Sequence, residues 1–451
     1  MRTVRIGNGC GFWGDQPKAP YYLVRDGQLD YLTLEYLAEL TMSILAVQRH
    51  KDPARGYATD VLEVLESLVP LWVQQPQLKI VTNAGGLDPQ GCAQKIRHLL
   101  HEHGLAERRI AVVSGDDLMP QLDALLAAKC SLAHLDTHEP LEKVRSQVVC
   151  ANAYLGAGPI VEALRQGADL VVTGRVADAS LTVAPAVYEL GWQWTDWHLL
   201  AAATVAGHLI ECGAQVTGGL WCNWREAPDL ANVGYPFADI AADGTVVIGK
   251  PAGSGGRVCF ETVSEQLLYE VDDPSHYLTP DVIADFTSVR LQEVAQDVVQ
   301  LTGARGFPAT DSYKVSIAYR AGWTASGTVT VFGADAVDKA RACADIVRHR
   351  LARAGCRFDV FHAELLGAGA VVPGVVSVPV APAEVVLRLT VQSTDRASVE
   401  RFSRELAPLV TSGPPGVTGY VGGRPPVREL FVYWPALIPK HLVQPRVVLL
   451  S

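Results

Sequence analysis

The chain has 451 residues, 49% of them hydrophobic and 19% charged, with a formal net charge of −10. That composition excludes a disordered chain and leaves ample apolar material for a large core. An acidic balance with no basic cluster excludes a nucleic-acid partner, and no run of about 18 apolar residues marks a membrane span.

The opening MRTVRIGNG enters a strand-like segment directly and carries no apolar leader core. Nine cysteines are scattered without a CxxC pair, and the count is odd. A reducing, cytoplasmic setting without disulfides or structural zinc is expected.

Taken in chain order, short apolar runs alternate with helical patterns. Val4–Gly7, Leu78–Thr82, Ile110–Val113 and Asp169–Val172 read as strands. Helical patterns cover 89–103 and 160–166. Such alternation predicts an α/β domain, over 1–305, with a mostly parallel sheet flanked by helices. Each strand ends in small or polar residues. In open α/β sheets ligands bind beyond the carboxyl ends of the strands, so these tips are expected to share one edge.

The first tip carries Gly9, Gly11, Phe12, Trp13 and Asp15. Gly9 to Gly14 satisfies the GxGxxG spacing, but the bulky aromatics suit a dinucleotide cradle poorly. A ligand-lining loop is expected, with a plain structural turn as the alternative. Asn83, Gly85 and Gly86 form the second tip, whose amides are candidates for polarising a carbonyl. Asp116 and Asp117 form the third. Adjacent carboxylates can ligate Mg²⁺ or supply a general base; the plainer reading is a cap for the next helix. Gly174, Arg175 and Asp178 form the fourth. Here the Arg fork suits a carboxylate or phosphate, and an internal Arg175–Asp178 ion pair is the alternative.

An Ala-rich helix is expected from Asp196 to Cys212. His208, Glu211 and Cys212 share one face in its last turn. Glu211 sits against the helix dipole there, which implies a specific partner. His208 is a candidate acid and Cys212 a candidate nucleophile; the plainer reading is packed, solvated side chains. The glycine loop from Lys250 to Arg257 offers amides and two cations to an anion, or a simple hairpin turn. Tyr269, Glu270 and Asp281 are ionisable but unplaced. His134, Asp136 and His138 have metal-ligand spacing only if they lie on a strand, and the polar run to Pro140 argues for a loop. No metal site and no required cofactor is expected.

From about residue 306 to 451 the pattern becomes α+β. Strands at 313–319 and 327–332, a helix at 336–354 and a strand at 358–362 form one unit. A strand at 384–392, a helix at 396–406 and strands at 417–420 and 430–433 form another. A ferredoxin-like repeat is the expectation, with 367–382 as the link.

Seven segments, in order, are similar to one family: IGNGCGFWGD, LDYLTLEYLAELTMSIL, LKIVTNAGGLDP, VVSGDD, NAYLGAGPIVEALRQGADLVVTGRVADASL, AGHLIECGAQVTGG and EQLLYEVDDPSHYLTPDV. The chain resembles the AtuA-like acyclic terpene utilization family from its start to at least Ala304. The resemblance implies work on branched or unsaturated acyl substrates, as free acids or CoA thioesters. It carries no secure catalytic residue with it.

Three function classes follow. The first is a lyase of the hydratase or dehydratase type. In it Asp116 or Asp178 is the base, His208 the acid, and Arg175 and Lys250 anchor an anion. The second is acyl transfer or hydrolysis through Cys212. The third is a non-catalytic partner subunit of an acyl-CoA enzyme. A small-molecule ligand and a homo-oligomer are expected.

Overall fold

The computed structural model describes residues 2–52, 54–375, 382–419 and 422–450. Eight strands run along residues 3–249: β1 (Thr3–Asn8), β2 (Tyr31–Leu34), β3 (Lys79–Thr82), β4 (Ile110–Ser114), β5 (Val148–Ala153), β6 (Leu170–Thr173), β7 (Phe237–Ala241) and β8 (Val246–Gly249). The chain divides into two compact units. One holds 1–318 and 433–451, the other 319–432.

The first unit is α/β and is built on a mixed ten-stranded sheet. From one edge the order is Arg290–Ala295, Val298–Thr302, β8, β7, β1, β2, β3, β6, β4 and Arg446–Leu450. The five central strands, β1, β2, β3, β6 and β4, are mutually parallel. The strands outside them are antiparallel. The parallel centre is covered on both faces, so its strands read as unbroken apolar runs. Ile6, Leu32, Ile80, Leu170 and Val112 are all buried. Burying each such side chain contributes roughly 1.5–3 kcal/mol, which is why this centre forms the rigid frame. β5 lies off the sheet and pairs with the long strand Ser312–Phe332.

Because the five central strands are parallel, their carboxyl ends share one edge. Asn8, Glu35, Asn83, Gly115 and Gly174 all lie at or just past those ends. Glu35 follows β2, a strand absent from the pattern reading. Residues 134–138 form a loop, in which the Asp136 and Thr137 amides donate to His134 Nδ1 at 3.1 and 3.3 Å.

The second unit has a ferredoxin-like topology. Its strands are the later part of Ser312–Phe332, then Val360–Leu366, Glu384–Ser393 and Val417–Thr418. In the sheet they lie second, third, first, fourth, all antiparallel. Helices Ala336–Arg353 and Arg396–Phe402 complete two βαβ halves, and the halves interleave in one sheet. Val329, Val347, Leu387, Leu389 and Phe402 are in its core. The strands expected at 313–319 and 327–332 are one continuous strand, and the second helix ends four residues before Leu406. Tyr420, within the strand expected at 417–420, and residues 376–381 of the expected link lie outside the described residues. Among the described residues, no helix is long and apolar enough to cross a membrane.

Candidate active site

A cleft of about 540 Å³ opens beyond the carboxyl ends of β1, β2 and β6. The loop after β1 supplies Gly11, Phe12 and Asp15. Glu35, Leu37 and Glu39 follow β2, and Asp178 follows β6. Glu211 and Cys212 come from the end of helix Trp197–Glu211, and Tyr235, Tyr269 and Glu270 come from later loops.

Asn8 brings two of these pieces together. Its amide nitrogen donates to the carbonyls of Ile210 and Glu211 at 2.8 and 2.9 Å. A helix leaves its last carbonyls without partners, and Asn8 satisfies two of them. The end of the helix is thereby tied to the end of β1. Gly11 lets the backbones meet: a Cβ there would lie 2.9 Å from the Cys212 carbonyl carbon. The Gly11 amide donates to Asp15 Oδ2 at 2.8 Å, and the Tyr235 hydroxyl donates to Asp15 Oδ1. Gly207 plays the same part toward the fourth tip, since a Cβ there would lie 2.8 Å from Ala179 Cα.

Arg175 lies beneath the cleft floor, 1% exposed. Its Nη1 is 3.0 Å from Asp178 Oδ1 and 3.9 Å from Glu35 Oε1, and donates to the Leu37 carbonyl. The guanidinium also stacks 4.2 Å from the centre of the Tyr154 ring. Nη1 is therefore spent on the protein, Nε is buried without a partner, and Arg175 does not line the cleft. This corrects the expectation of a substrate anchor and realises the Arg175–Asp178 ion pair.

Asp178 keeps 38% of its side chain exposed. Burial of the carboxyl pushes its pKa up to about 7; Arg175 opposes this, and the neighbouring Glu211 and Glu39 add to it. Glu35 is 4% exposed and its pKa is also raised, by burial first and by Asp178 second. Glu39 goes the other way. Burial would raise it, but Arg175, the Tyr154 hydroxyl and Lys314 outweigh burial and hold it at about 2. The cleft thus pushes its carboxyls in opposite directions, Asp178 and Glu35 up and Glu39 down, as acid–base chemistry requires.

Glu211 has the partner that its place against the helix dipole implies. His208 Nδ1 is 3.1 Å from Glu211 Oε1, and His208 Nε2 is 2.8 Å from the Gln266 carbonyl. A carbonyl only accepts, so Nε2 carries a proton. Burial would lower the His208 pKa, but Glu211 and the Gln266 carbonyl raise it. His208 is buried and both its nitrogens are engaged, so it stands behind Glu211 rather than in the cleft. Glu211 Oε2 is buried and has no partner. Cys212 lines the cleft, but burial and Glu211 push its thiol up to about 12. It is therefore a thiol, not a thiolate nucleophile.

The other expected residues serve as scaffold. Asp116 is buried, and its Oδ2 accepts from the Arg175 amide at 2.9 Å and from Asn152 at 2.8 Å. Burial raises its pKa to about 6. Asp117 Oδ1 caps the next turn through the Met119 amide at 2.9 Å. Asn83 holds Glu35 Oε1 and accepts from the Tyr36 amide at 2.8 Å. Gly85 packs against the Thr173 carbonyl, Gly86 against Leu45, Gly174 against Asp116 and Gly9 against Pro20. Trp13 packs on the core, whereas Phe12 is 55% exposed at the cleft. Lys250 closes its own loop through the Ser254 carbonyl at 2.9 Å and Asp297 at 3.3 Å. It does not line the cleft, so its anchoring role is also corrected. Asp281 accepts from the Ala157 amide and Ser180 hydroxyl, away from the cleft.

Glu35, Glu39 and Tyr235 are cleft residues that pattern reading did not place. Applying the strand-end rule to Tyr31–Leu34 would have found Glu35. Glu270 does reach the cleft, with a left-handed φ of 59°, uncommon for a residue with a Cβ. Among the described residues, the one group of three His, Cys, Asp or Glu with mutually close ligand atoms is Cys259, Glu261 and Glu293. None of the three lines the cleft.

No curated protein and no solved structure matches the chain. A family model does, that of the acyclic terpene utilisation family protein AtuA, over residues 4–449. The match takes in every cleft residue described above, and the chain belongs to the AtuA acyclic terpene utilisation family.

Proposed function

We propose that the protein is an enzyme that moves protons on a small molecule held in the cleft, a lyase of the hydratase or dehydratase type. One observation carries this reading. Two cleft carboxyls, Asp178 and Glu211, come from different elements, and each is backed by a buried nitrogen group, Arg175 or His208. Asp178, poised at about 7, is a competent general base and, once protonated, a competent acid.

In this reading Asp178 takes a proton from a substrate carbon. The electron pair released forms the double bond as a hydroxyl departs with a proton as water; addition of water is the reverse. Glu211, fixed by His208, orients the substrate and exchanges protons with it. Proton transfer from one positioned group contributes roughly 10²–10⁴-fold in rate. The family's tie to acyclic terpene utilisation favours branched, unsaturated acyl or related molecules as substrates.

The test is product analysis with branched unsaturated esters and thioesters. The expected product gains the mass of one water, and Asp178→Asn slows its formation by roughly 10²–10⁴-fold. Acyl transfer without water addition, surviving in Asp178→Asn, would overturn the reading.

A further inference from the structure

Six carboxyl groups line the cleft, those of Asp15, Glu35, Glu39, Asp178, Glu211 and Glu270. Among the described residues, no Lys, Arg or His lines it. Arg175 and His208 lie behind the walls, already engaged with cleft carboxyls and main-chain carbonyls. Lys314, at the cleft edge, is already paired with Glu39 at 3.4 Å, so an anionic head group entering this space would meet an excess of carboxyls.

Glu35 is the deepest of the six, 4% exposed. Its two oxygens differ. Oε1 accepts from the Leu37 amide at 2.8 Å and from the Asn83 amide nitrogen, and lies 3.9 Å from Arg175 Nη1. Oε2 is buried and has no partner. An oxygen that already accepts two N–H donors is a poor place for a proton. In the neutral acid the proton therefore sits on Oε2, which has no protein acceptor. A buried donor without a partner is destabilising, and a ligand oxygen on the cleft floor would supply the missing acceptor.

We propose that Glu35 is a neutral proton donor at the cleft floor, and that the ligand offers it an uncharged oxygen, a hydroxyl or an ester or thioester carbonyl, rather than a carboxylate. This rests on the proton-transfer reading of the cleft and names its acid and its substrate class. In the dehydrating direction the Glu35 Oε2–H bond breaks as an O–H bond forms on the departing hydroxyl. The C–O electron pair leaves with the water, and Asp178 takes the carbon-bound proton. Glu35 is left as a carboxylate beside Arg175, and the two carboxyls reset by exchange with solvent. No oxidant or metal enters the balance.

Two measurements test the proposal, and neither needs turnover. The first is the infrared difference spectrum of wild type minus Glu35→Gln at pH 7. Burial raises the Glu35 pKa, so the carbonyl stretch of a protonated carboxyl is expected in wild type and absent in the variant. Its absence from the difference overturns the proposal. The second is calorimetric titration at pH 8 with methyl tiglate, tiglyl alcohol and tiglate. At least one neutral probe is expected to bind, about tenfold or more tighter than the anion. Whether ester or alcohol wins separates carbonyl from hydroxyl.

Glu35→Gln keeps an oxygen for Leu37 and Asn83 and turns an N–H₂ donor toward the ligand, so it is expected to retain neutral-probe binding. Glu35→Leu loses that donor and the binding. Tighter binding of tiglate, or no binding of either neutral probe, overturns the proposal. Neutral binding with the infrared band present, but no proton transfer in wild type, instead sinks the catalytic reading and leaves the ligand class standing.

Discussion

His208 holds Glu211 from behind: its Nδ1 is 3.1 Å from Glu211 Oε1, while its Nε2 donates to the Gln266 carbonyl at 2.8 Å. The imidazole fixes one carboxylate oxygen and leaves the other, Oε2, without a partner. Replacing His208 with Gln keeps a donor but not both bonds. Turnover is expected to fall about 10–100-fold, as for outer residues that orient a functional group, with the pH profile displaced. A rate loss with an unmoved pH profile would make His208 merely structural.

Asp178 carries the proposed base. Asp178→Asn is expected to lower kcat by roughly 10²–10⁴-fold, with circular dichroism and melting behaviour close to wild type. Its side chain is partly exposed beside Arg175, so an amide fits there without a new cavity. Full activity in this variant would remove Asp178 from the mechanism.

Cys212 gives the opposite expectation. Its thiol is held at about 12 by burial and Glu211, so it is protonated at neutral pH. Cys212→Ser is expected to keep most activity, and iodoacetamide is expected to leave the wild-type rate unchanged. A covalent acyl adduct at Cys212, seen by mass spectrometry, would reverse that assignment.

Asp116 sets a stability dependence on pH opposite to the usual carboxylate. Burial raises its pKa from 3.8 to about 6, so the fold favours the neutral acid. The contribution is fully present below 3.8 and is lost as pH rises through about 6. It is worth on the order of 3 kcal/mol. The substitution Asp116→Asn keeps an oxygen to receive the Arg175 and Asn152 donors and removes the titrating proton. Melting curves between pH 4 and 7 should therefore fall less for Asp116→Asn than for wild type. Parallel curves would contradict this.

Gly11 tests how closely the first loop must meet the helix end. An added Cβ lies 2.9 Å from the Cys212 carbonyl carbon, an atom of the backbone that cannot step aside. Gly11→Ala is expected to cost about 1–3 kcal/mol and to weaken ligand binding. Gly422→Ala, where the Cβ meets open space, is expected to leave melting unchanged.

Much of this architecture is legible in the chain itself. Apolar runs ending in glycine and polar residues mark β1, β3, β4 and β6, and the edge they share carries Asp15, Asp178 and Glu211's neighbours. β2 is as short and buried as β3 and β6, but it escapes because Tyr31–Leu34 runs on into Glu35-Tyr36-Leu37 with no glycine to mark its end. Glu35 and Glu39 escape with it. The strand Arg446–Leu450 pairs with β4 from the far end of the chain, a partnership that no local pattern encodes. Arg175 and Lys250 mislead for a physical reason: a cation near a glycine turn looks the same whether it serves a ligand or the turn. Only the positions of Asp178, Leu37, Ser254 and Asp297 decide.

The central claim is proton transfer in the cleft, and solvent isotope exchange reads it most directly. Wild type, Asp178→Asn and Glu211→Gln would be incubated with methyl tiglate in deuterated buffer, and deuterium at carbon followed by NMR. Deuterium at C2 of the hydrated ester with wild type, forming at least about 10²-fold more slowly with Asp178→Asn, is the predicted result. Methyl tiglate that binds to wild type yet yields no deuterated hydrate would contradict the account.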